Sequence, residues 1–209
     1  MNFKKKPLLI SIVVPCYNES SVVSYFFDAI IKIFDSAPKY DFEVIFVDDG
    51  SKDDTLIKII EITNQDSRFK AVELSRNFGK EAALSAGIEV ATGHAVIPMD
   101  ADLQDPPKLI FQMIEKWQKG ADVVLAKRID RKTDSYLKRL TAKWFYKTHN
   151  HLSAVKIHEN VGDFRLMDRR VVDALKQLTE NQRFMKGLFS WVGFRTEIVE
   201  YSRPERVSG

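Results

Sequence analysis

Asp100 and Asp102 stand one residue apart where an apolar run ends, and Gln104 follows two positions later. Two carboxylates at that spacing, on a strand leaving a sheet, can converge on one hard cation. Gln104 would add a further oxygen ligand, and Mg²⁺ or Mn²⁺ suits such a set. A cation held this way typically bridges a diphosphate and offsets the charge that grows on a leaving group. Asp-x-Asp is also a common loop tripeptide, so it is the strand-end position that favours metal. Asp48 and Asp49 end a second apolar run. Their acceptor-only carboxylates could hydrogen-bond a base or ribose, or cap the helix that follows. Pro15, Cys16, Tyr17, Asn18 and Glu19 end a third. Here Tyr17 could stack on a base, or the segment is a Pro-containing turn with Asn18 or Ser20 as an N-cap. Each cluster has both readings open; the three together are more informative than any one.

The elements that must position these residues are legible as an alternation. Apolar, strand-like runs at 9–15, 42–48, 69–74, 95–100 and 122–126 are separated by helical patterns at 20–34, 54–65, 79–91 and 107–119. Pro106 and Pro107 mark a helix start and Gly120 a helix stop. This pattern predicts an α/β fold with an open, mostly parallel sheet flanked by helices. In such sheets ligands bind beyond the carboxyl ends of the strands, where all three clusters fall. Beyond Lys127 the alternation stops. A basic amphipathic helix is expected over 136–151, strands near 162–167 and 195–201, a helix near 169–178 and an apolar, aromatic segment over 184–194.

With 209 residues, 44% apolar and 29% charged, the chain is neither disordered nor a small disulfide scaffold. Cys16 is the only cysteine, which excludes an internal disulfide and points to a reducing cytoplasm. No window approaches the ~20 apolar residues that cross a bilayer. There is no G-x-G-x-x-G after the first strand, no P-loop, no G-x-S-x-G elbow and no zinc-like partnership among His94, His149, His151, His158 and Cys16. The net charge of +3 conceals an asymmetry: residues 1–100 hold 11 basic and 15 acidic side chains, residues 101–209 hold 21 and 14. Between Lys127 and Lys147 eight Lys and Arg face only Asp130 and Asp134. Such a surface suits phosphate or an anionic membrane; nucleic acid is not expected, because no base-reading module accompanies it.

Val14-Pro-Cys-Tyr-Asn-Glu19, Val47-Asp-Asp-Gly-Ser-Lys-Asp53, Ser75-Arg-Asn-Phe-Gly-Lys80 and Met99-Asp-Ala-Asp-Leu-Gln-Asp-Pro-Pro107 occur in that order. Together they resemble the family 2 inverting glycosyltransferases of the Rossmann-like GT-A fold, nearest the polyprenyl-phosphate branch that includes bactoprenol glucosyltransferases and dolichol-phosphate mannosyltransferases. Leu125-Ala-Lys-Arg128, Lys143-Trp-Phe-Tyr146, Glu159-Asn-Val-Gly-Asp-Phe-Arg-Leu-Met167, Phe184-Met-Lys-Gly187 and Tyr201-Ser-Arg-Pro-Glu-Arg206 look like the bacterial bactoprenol enzymes.

The resemblance implies one GT-A catalytic domain over 1–209. Residues 1–104 would bind nucleotide sugar and metal, and 105–209 would face acceptor and membrane, with transmembrane helices expected beyond this stretch. Pro15, Tyr17, Asn18, Glu19, Asp48, Asp49, Gly79, Lys80, Asp100 and Asp102 would bind the donor, a UDP-sugar (UDP-glucose first) or GDP-mannose. Asp100, Asp102 and Gln104 would hold Mg²⁺ or Mn²⁺. Polyprenyl phosphate at the cytoplasmic face of the inner membrane would be the acceptor, and a homo-oligomer is compatible with the pattern. An ionised phosphate is already a nucleophile and needs positioning more than deprotonation. Arg128, Arg139, Arg165 and Arg206 are candidates to grip it or the departing diphosphate bidentately. Asp163 corresponds to the carboxylate that sugar-accepting relatives use as a base, and here could instead orient an arginine. The competing readings are a family 2 enzyme with a saccharide acceptor and a non-catalytic nucleotide- or membrane-binding module.

Overall fold

Residues 10–14 and 42–47 are buried throughout, Ser11 and Glu43 included, so they suit strands covered on both sides. The computed structural model describes residues 7–129, 161–177 and 194–202. In chain order these form β1 (Leu8–Cys16), α1 (Val23–Asp35), β2 (Tyr40–Asp48), α2 (Thr55–Gln65), β3 (Phe69–Glu73), α3 (Lys80–Val90), β4 (Ala95–Pro98), α4 (Leu109–Gln118), β5 (Val123–Arg128), β6 (Val161–Asp168), α5 (Arg169–Lys176) and β7 (Thr196–Tyr201). The expected α/β fold with a mostly parallel sheet is what is found. One seven-stranded sheet runs β3-β2-β1-β4-β6-β5-β7. All its pairings are parallel except those of β6 with β4 and with β5.

Two hydrophobic clusters cover the sheet. Phe26, Ile30, Phe34, Ile59, Ile110 and Met113 pack one face, while Ala83, Leu84, Ile88, Val171, Val172 and Leu175 pack the other. Element ends differ from expectation by one to three residues, with local causes. The chain is turned before α1 proper, with Val22 and Val23 N–H both donating to the Glu19 carbonyl at 3.0 and 3.1 Å. At the end of β4, Met99 N–H still donates to the Val13 carbonyl at 2.9 Å, after which the chain departs into the acidic loop. β6 lies antiparallel between β4 and β5, a pairing between distant segments that no local pattern encodes.

A buried polar network locks the edge opposite the acidic loops. Glu43, only 4% exposed, accepts from Ser11 Oγ at 2.6 Å, Thr92 N–H at 2.7 Å, Thr92 Oγ1 at 2.9 Å and Lys70 Nζ at 2.6 Å. Burial pushes its carboxyl pKa up, but the four donors outweigh this and hold it at about 2. His94, the one histidine among the described residues, is exposed, and its Nδ1 accepts from Leu9 N–H at 3.0 Å.

Candidate active site

The sheet order reverses at β1. From β1 the chain goes outward to β2 and β3 on one side, then returns to place β4 on the other. Loops leaving β1 and β4 therefore diverge and open a crevice at the carboxyl ends of those strands. A cleft of about 330 Å³ lies there, lined by Pro15 near the end of β1, Tyr17 and Glu19 after it, Asp49 after β2, Asn77, Gly79 and Lys80 before and at the start of α3, and Asp100 and Asp102 after β4, with Cys16, Ala83 and Ala101 at its walls.

The loops are tied to one another before they are offered to a ligand. Asn18 takes a left-handed φ of 53°. Its N–H donates to Ser51 Oγ at 3.0 Å, and its Oδ1 accepts from Lys52 N–H at 2.8 Å. Glu19 N–H donates to Thr55 Oγ1 at 2.8 Å. Asp49 accepts from Phe78 N–H and Gly79 N–H, both at 2.8 Å, so its carboxylate fastens the loop before α3. Gly50, with φ +68°, lets that loop come close: a Cβ there would lie 2.5 Å from the Arg76 carbonyl carbon. After β4, Gln104 N–H donates to Asp102 Oδ1 at 3.1 Å, an Asx turn in which Leu103 adopts φ 54°. The Tyr201 hydroxyl donates to Asp105 Oδ1, so the end of β7 holds the far side of the acidic loop.

Several charges meet in the cleft. Lys80 Nζ is 2.6 and 2.9 Å from the two oxygens of Asp100 and 3.0 Å from Asp163 Oδ2 on β6. Burial lowers the lysine pKa, but the pull of Asp100 and Asp163 exceeds it and leaves the value above that of an ordinary lysine. The neighbouring Cys16 thiol is driven well up by burial, with Glu19, Asp48 and Asp100 adding to it. It is therefore a neutral wall rather than a nucleophile. Among the described residues no three His, Cys, Asp or Glu side chains group to hold a metal unaided. The pair Asp100 and Asp102 fits an ion of the Mg²⁺ type, which binds through one or two carboxylates and completes its shell with water and substrate phosphates.

Of the residues singled out in the sequence, Pro15, Tyr17, Glu19, Asp49, Gly79, Lys80, Asp100 and Asp102 line the cleft. Asn18, Asp48 and Gln104 do not. Asn18 is a stitch between loops; Gln104 is 7% exposed, behind the Asx turn. Asp48 is buried, with Oδ2 accepting from Ser51 N–H at 3.1 Å and Oδ1 lacking a partner among the described residues. Arg165 is 3% exposed. It donates to the Asp163 carbonyl at 3.2 Å and the Gly162 carbonyl at 2.6 Å. Burial depresses its pKa to about 10 against the pull of Asp163 and Glu81. It props the strand that carries Asp163. Arg128 ends β5 with its Nε buried and without a partner among the described residues. Arg139, Arg206, the basic 136–151 segment and nearly all of 184–194 lie outside the described residues. The sequence reading did not single out Asn77, whose signal was its place in Ser75-Arg-Asn-Phe-Gly-Lys80, two residues before the loop glycine.

Glycosyl transferase family 2 matches residues 11–176, most of the described sheet and every acidic loop of the cleft. The chain belongs to that family. This family 2 chain is 53% identical over 200 residues to the bactoprenol glucosyl transferase of Shigella phage SfX. It is 52% identical to the prophage bactoprenol glucosyl transferase homolog of Escherichia coli K12. Each alignment covers 96% of this chain but 65% of the relative, so the chain spans about two thirds of those proteins' length. Among solved structures, a mannosyltransferase from Pyrobaculum calidifontis in complex with GDP-mannose and Mn²⁺ superposes with a TM-score of 0.64 at 20% identity, covering 97% of this chain and 59% of that one. Glucosyl-3-phosphoglycerate synthase from Mycobacterium tuberculosis, in complex with Mn²⁺, UDP-glucose and phosphoglyceric acid, superposes with a TM-score of 0.61 at 20% identity, covering 97% and 73%. At that identity the likeness establishes the shared GT-A fold.

Proposed function

We propose that this family 2 domain transfers one sugar, glucose from UDP-glucose, to a polyprenyl phosphate at the cytoplasmic membrane face, with inversion at the anomeric carbon. The observation that carries the reading is the cleft at the sheet reversal, where Asp100 and Asp102 face the same space as Tyr17, Glu19, Asn77 and Lys80. The acceptor and sugar are supported by the bactoprenol glucosyl transferases at 52–53% identity, and the nucleotide sugar with a divalent ion by the bound neighbours of the same fold.

Each group has a part in this reading. Asp100 and Asp102 hold Mg²⁺ or Mn²⁺, which supplies a Lewis acid to the donor diphosphate. Tyr17, Pro15 and Glu19 lie toward the nucleoside, with Asp48 beneath them. Asp49 orients the loop bearing Asn77, Gly79 and Lys80. Arg128 and Arg165 sit on adjacent strands, and Arg165 braces the backbone of Asp163. The Asp163 carboxylate meets the Lys80 ammonium at 3.0 Å, and an ionised phosphate acceptor leaves it no proton to remove. Arg139 and Arg206 belong to the same acceptor reading, as does the basic 136–151 segment toward anionic headgroups. No helix among the described residues is long and apolar enough to cross a membrane; in this reading the lipid comes to the domain at the bilayer surface.

Incubation with labelled UDP-glucose, undecaprenyl phosphate and Mn²⁺, followed by solvent extraction and NMR of the lipid product, tests the reading. The expected product is a single β-linked glucosyl phospholipid. An α-linked product would overturn inversion. Label that moves to a saccharide acceptor and not to the lipid would favour the saccharide-accepting alternative.

A further inference from the structure

Two carboxylates from distant parts of the chain share one cation in the cleft. Asp100 follows β4 and Asp163 belongs to β6. Lys80 Nζ lies 2.6 and 2.9 Å from the oxygens of the first and 3.0 Å from an oxygen of the second. Lys80 is also placed with unusual care for a lysine that is 44% exposed in its side chain. It is the first residue of α3, and the preceding Gly79 is fastened through its N–H to Asp49 at 2.8 Å. The ammonium is thereby aimed across the cleft from β2's anchor to the carboxylates opposite. Like charges brought to one site disfavour each other unless a cation lies between them.

We propose that Lys80 is the resident counter-ion of the Asp100–Asp163 pair, and that a divalent ion arriving with the donor takes Asp100 from it and leaves it on Asp163. This rests on the metal-assisted reading above and names a positioning residue within it. Lys80 Nζ lies 2.6 and 2.9 Å from the two oxygens of Asp100, so a divalent ion on that carboxylate would share it with the ammonium, and the repulsion between the two cations favours displacement of the lysine. A divalent ion alone would have two carboxylates and water with which to offset that lost pair. With a diphosphate present it gains two or more phosphate oxygens, and the exchange becomes favourable. Metal and donor then bind with positive coupling, each raising the other's affinity by the same factor. Lys80, released from Asp100, keeps Asp163 neutralised beside the departing diphosphate.

The test measures Mn²⁺ binding, by the EPR signal of free Mn²⁺, to the wild-type chain and to Lys80→Met, without nucleotide and with UDP. Titrations run in 1 M KCl, where the Debye length is about 3 Å and the general field of a removed charge is screened. Lys80→Met is expected to bind Mn²⁺ alone about tenfold more tightly than wild type, and the enhancement of Mn²⁺ affinity by UDP is expected to shrink. A loss of fold cannot tighten metal binding. Equal or weaker Mn²⁺ binding in Lys80→Met, with UDP and Mn²⁺ still binding wild type together, overturns the counter-ion assignment and leaves the metal-assisted reading standing. Absence of Mn²⁺ binding to wild type even with UDP overturns both. Wild-type protein labelled with ¹³C-lysine gives an independent readout. The Lys80 Cε resonance, assigned by its loss in Lys80→Arg, should move as Mg²⁺ and UDP are added together. A resonance that stays fixed at saturation contradicts the exchange.

Discussion

Asp102→Asn is expected to lower the rate of glucosyl transfer by about 100- to 1,000-fold, the scale of removing one charge-stabilising group from a preorganised site. The substitution is nearly isosteric. An asparagine oxygen can still accept from Gln104 N–H, now at 3.1 Å from the aspartate, so the Asx turn and the left-handed Leu103 keep their geometry. What changes is one negative charge and one hard oxygen ligand at the place where the diphosphate must be neutralised. Initial rates at saturating UDP-glucose over a range of Mn²⁺ concentrations check this, beside thermal melting that should remain close to wild type. A rate near that of wild type at the same Mn²⁺ concentration would remove Asp102 from the metal and donor machinery.

Gly50→Ala should do the reverse, damaging the fold first and the site through it. At φ +68° any residue with a Cβ pays about 1–2 kcal/mol for the left-handed conformation. Here the added carbon would also lie 2.5 Å from the Arg76 carbonyl carbon and 2.7 Å from Asn77 N. Those are backbone atoms that no rotamer can move aside, and relieving such an overlap costs a further ~1–3 kcal/mol. A total of roughly 2–5 kcal/mol corresponds to a drop of about 4–20 °C in Tm for a chain of this size. Relief requires the 75–79 loop to retreat, which strips Asp49 of its Phe78 and Gly79 amides and draws Lys80 away from Asp100. Nucleotide binding should therefore weaken by more than the melting shift alone explains. Differential scanning calorimetry and UDP titration of the same sample separate the two effects; an unchanged melting curve would contradict the close-approach account.

Much of this was legible in advance for physical reasons that act locally. Strands buried on both faces are largely apolar, so β1, β2 and β4 announce themselves as runs, and the polar residues that end them mark where the sheet meets ligand. Asp100, Asp102, Tyr17 and Glu19 were found that way and line the cleft. The insertion of β6 between β4 and β5 depends on pairing Val96 with Met167 and Val124 with Leu166. Those contacts join distant segments and leave no periodic trace.

The role of each acid was similarly hidden, because a carboxylate's type is visible in the sequence and its partner is not. Asp49 has the type and position of a nucleoside ligand or a helix cap, yet its oxygens are engaged by amides 29 and 30 residues away. Asn18 belongs to a motif that borders the cleft, but its side chain faces Lys52. Gln104 follows Asp102 at a ligand-like spacing, and the left-handed turn at Leu103 carries it behind the loop. Lys80 was legible as part of a motif; that its ammonium joins Asp100 to Asp163 depends on three elements meeting in space.

The central claim is that this cleft binds a nucleoside diphosphate through a divalent ion held by Asp100 and Asp102. Calorimetric titration of UDP into the wild-type chain, in Mn²⁺ and again in EDTA, tests it most directly. The account predicts saturable, one-to-one binding in Mn²⁺ that falls by at least about tenfold in EDTA, a loss of about 1.4 kcal/mol or more. Equal affinity in Mn²⁺ and EDTA, or no binding of UDP or GDP in either, would contradict it.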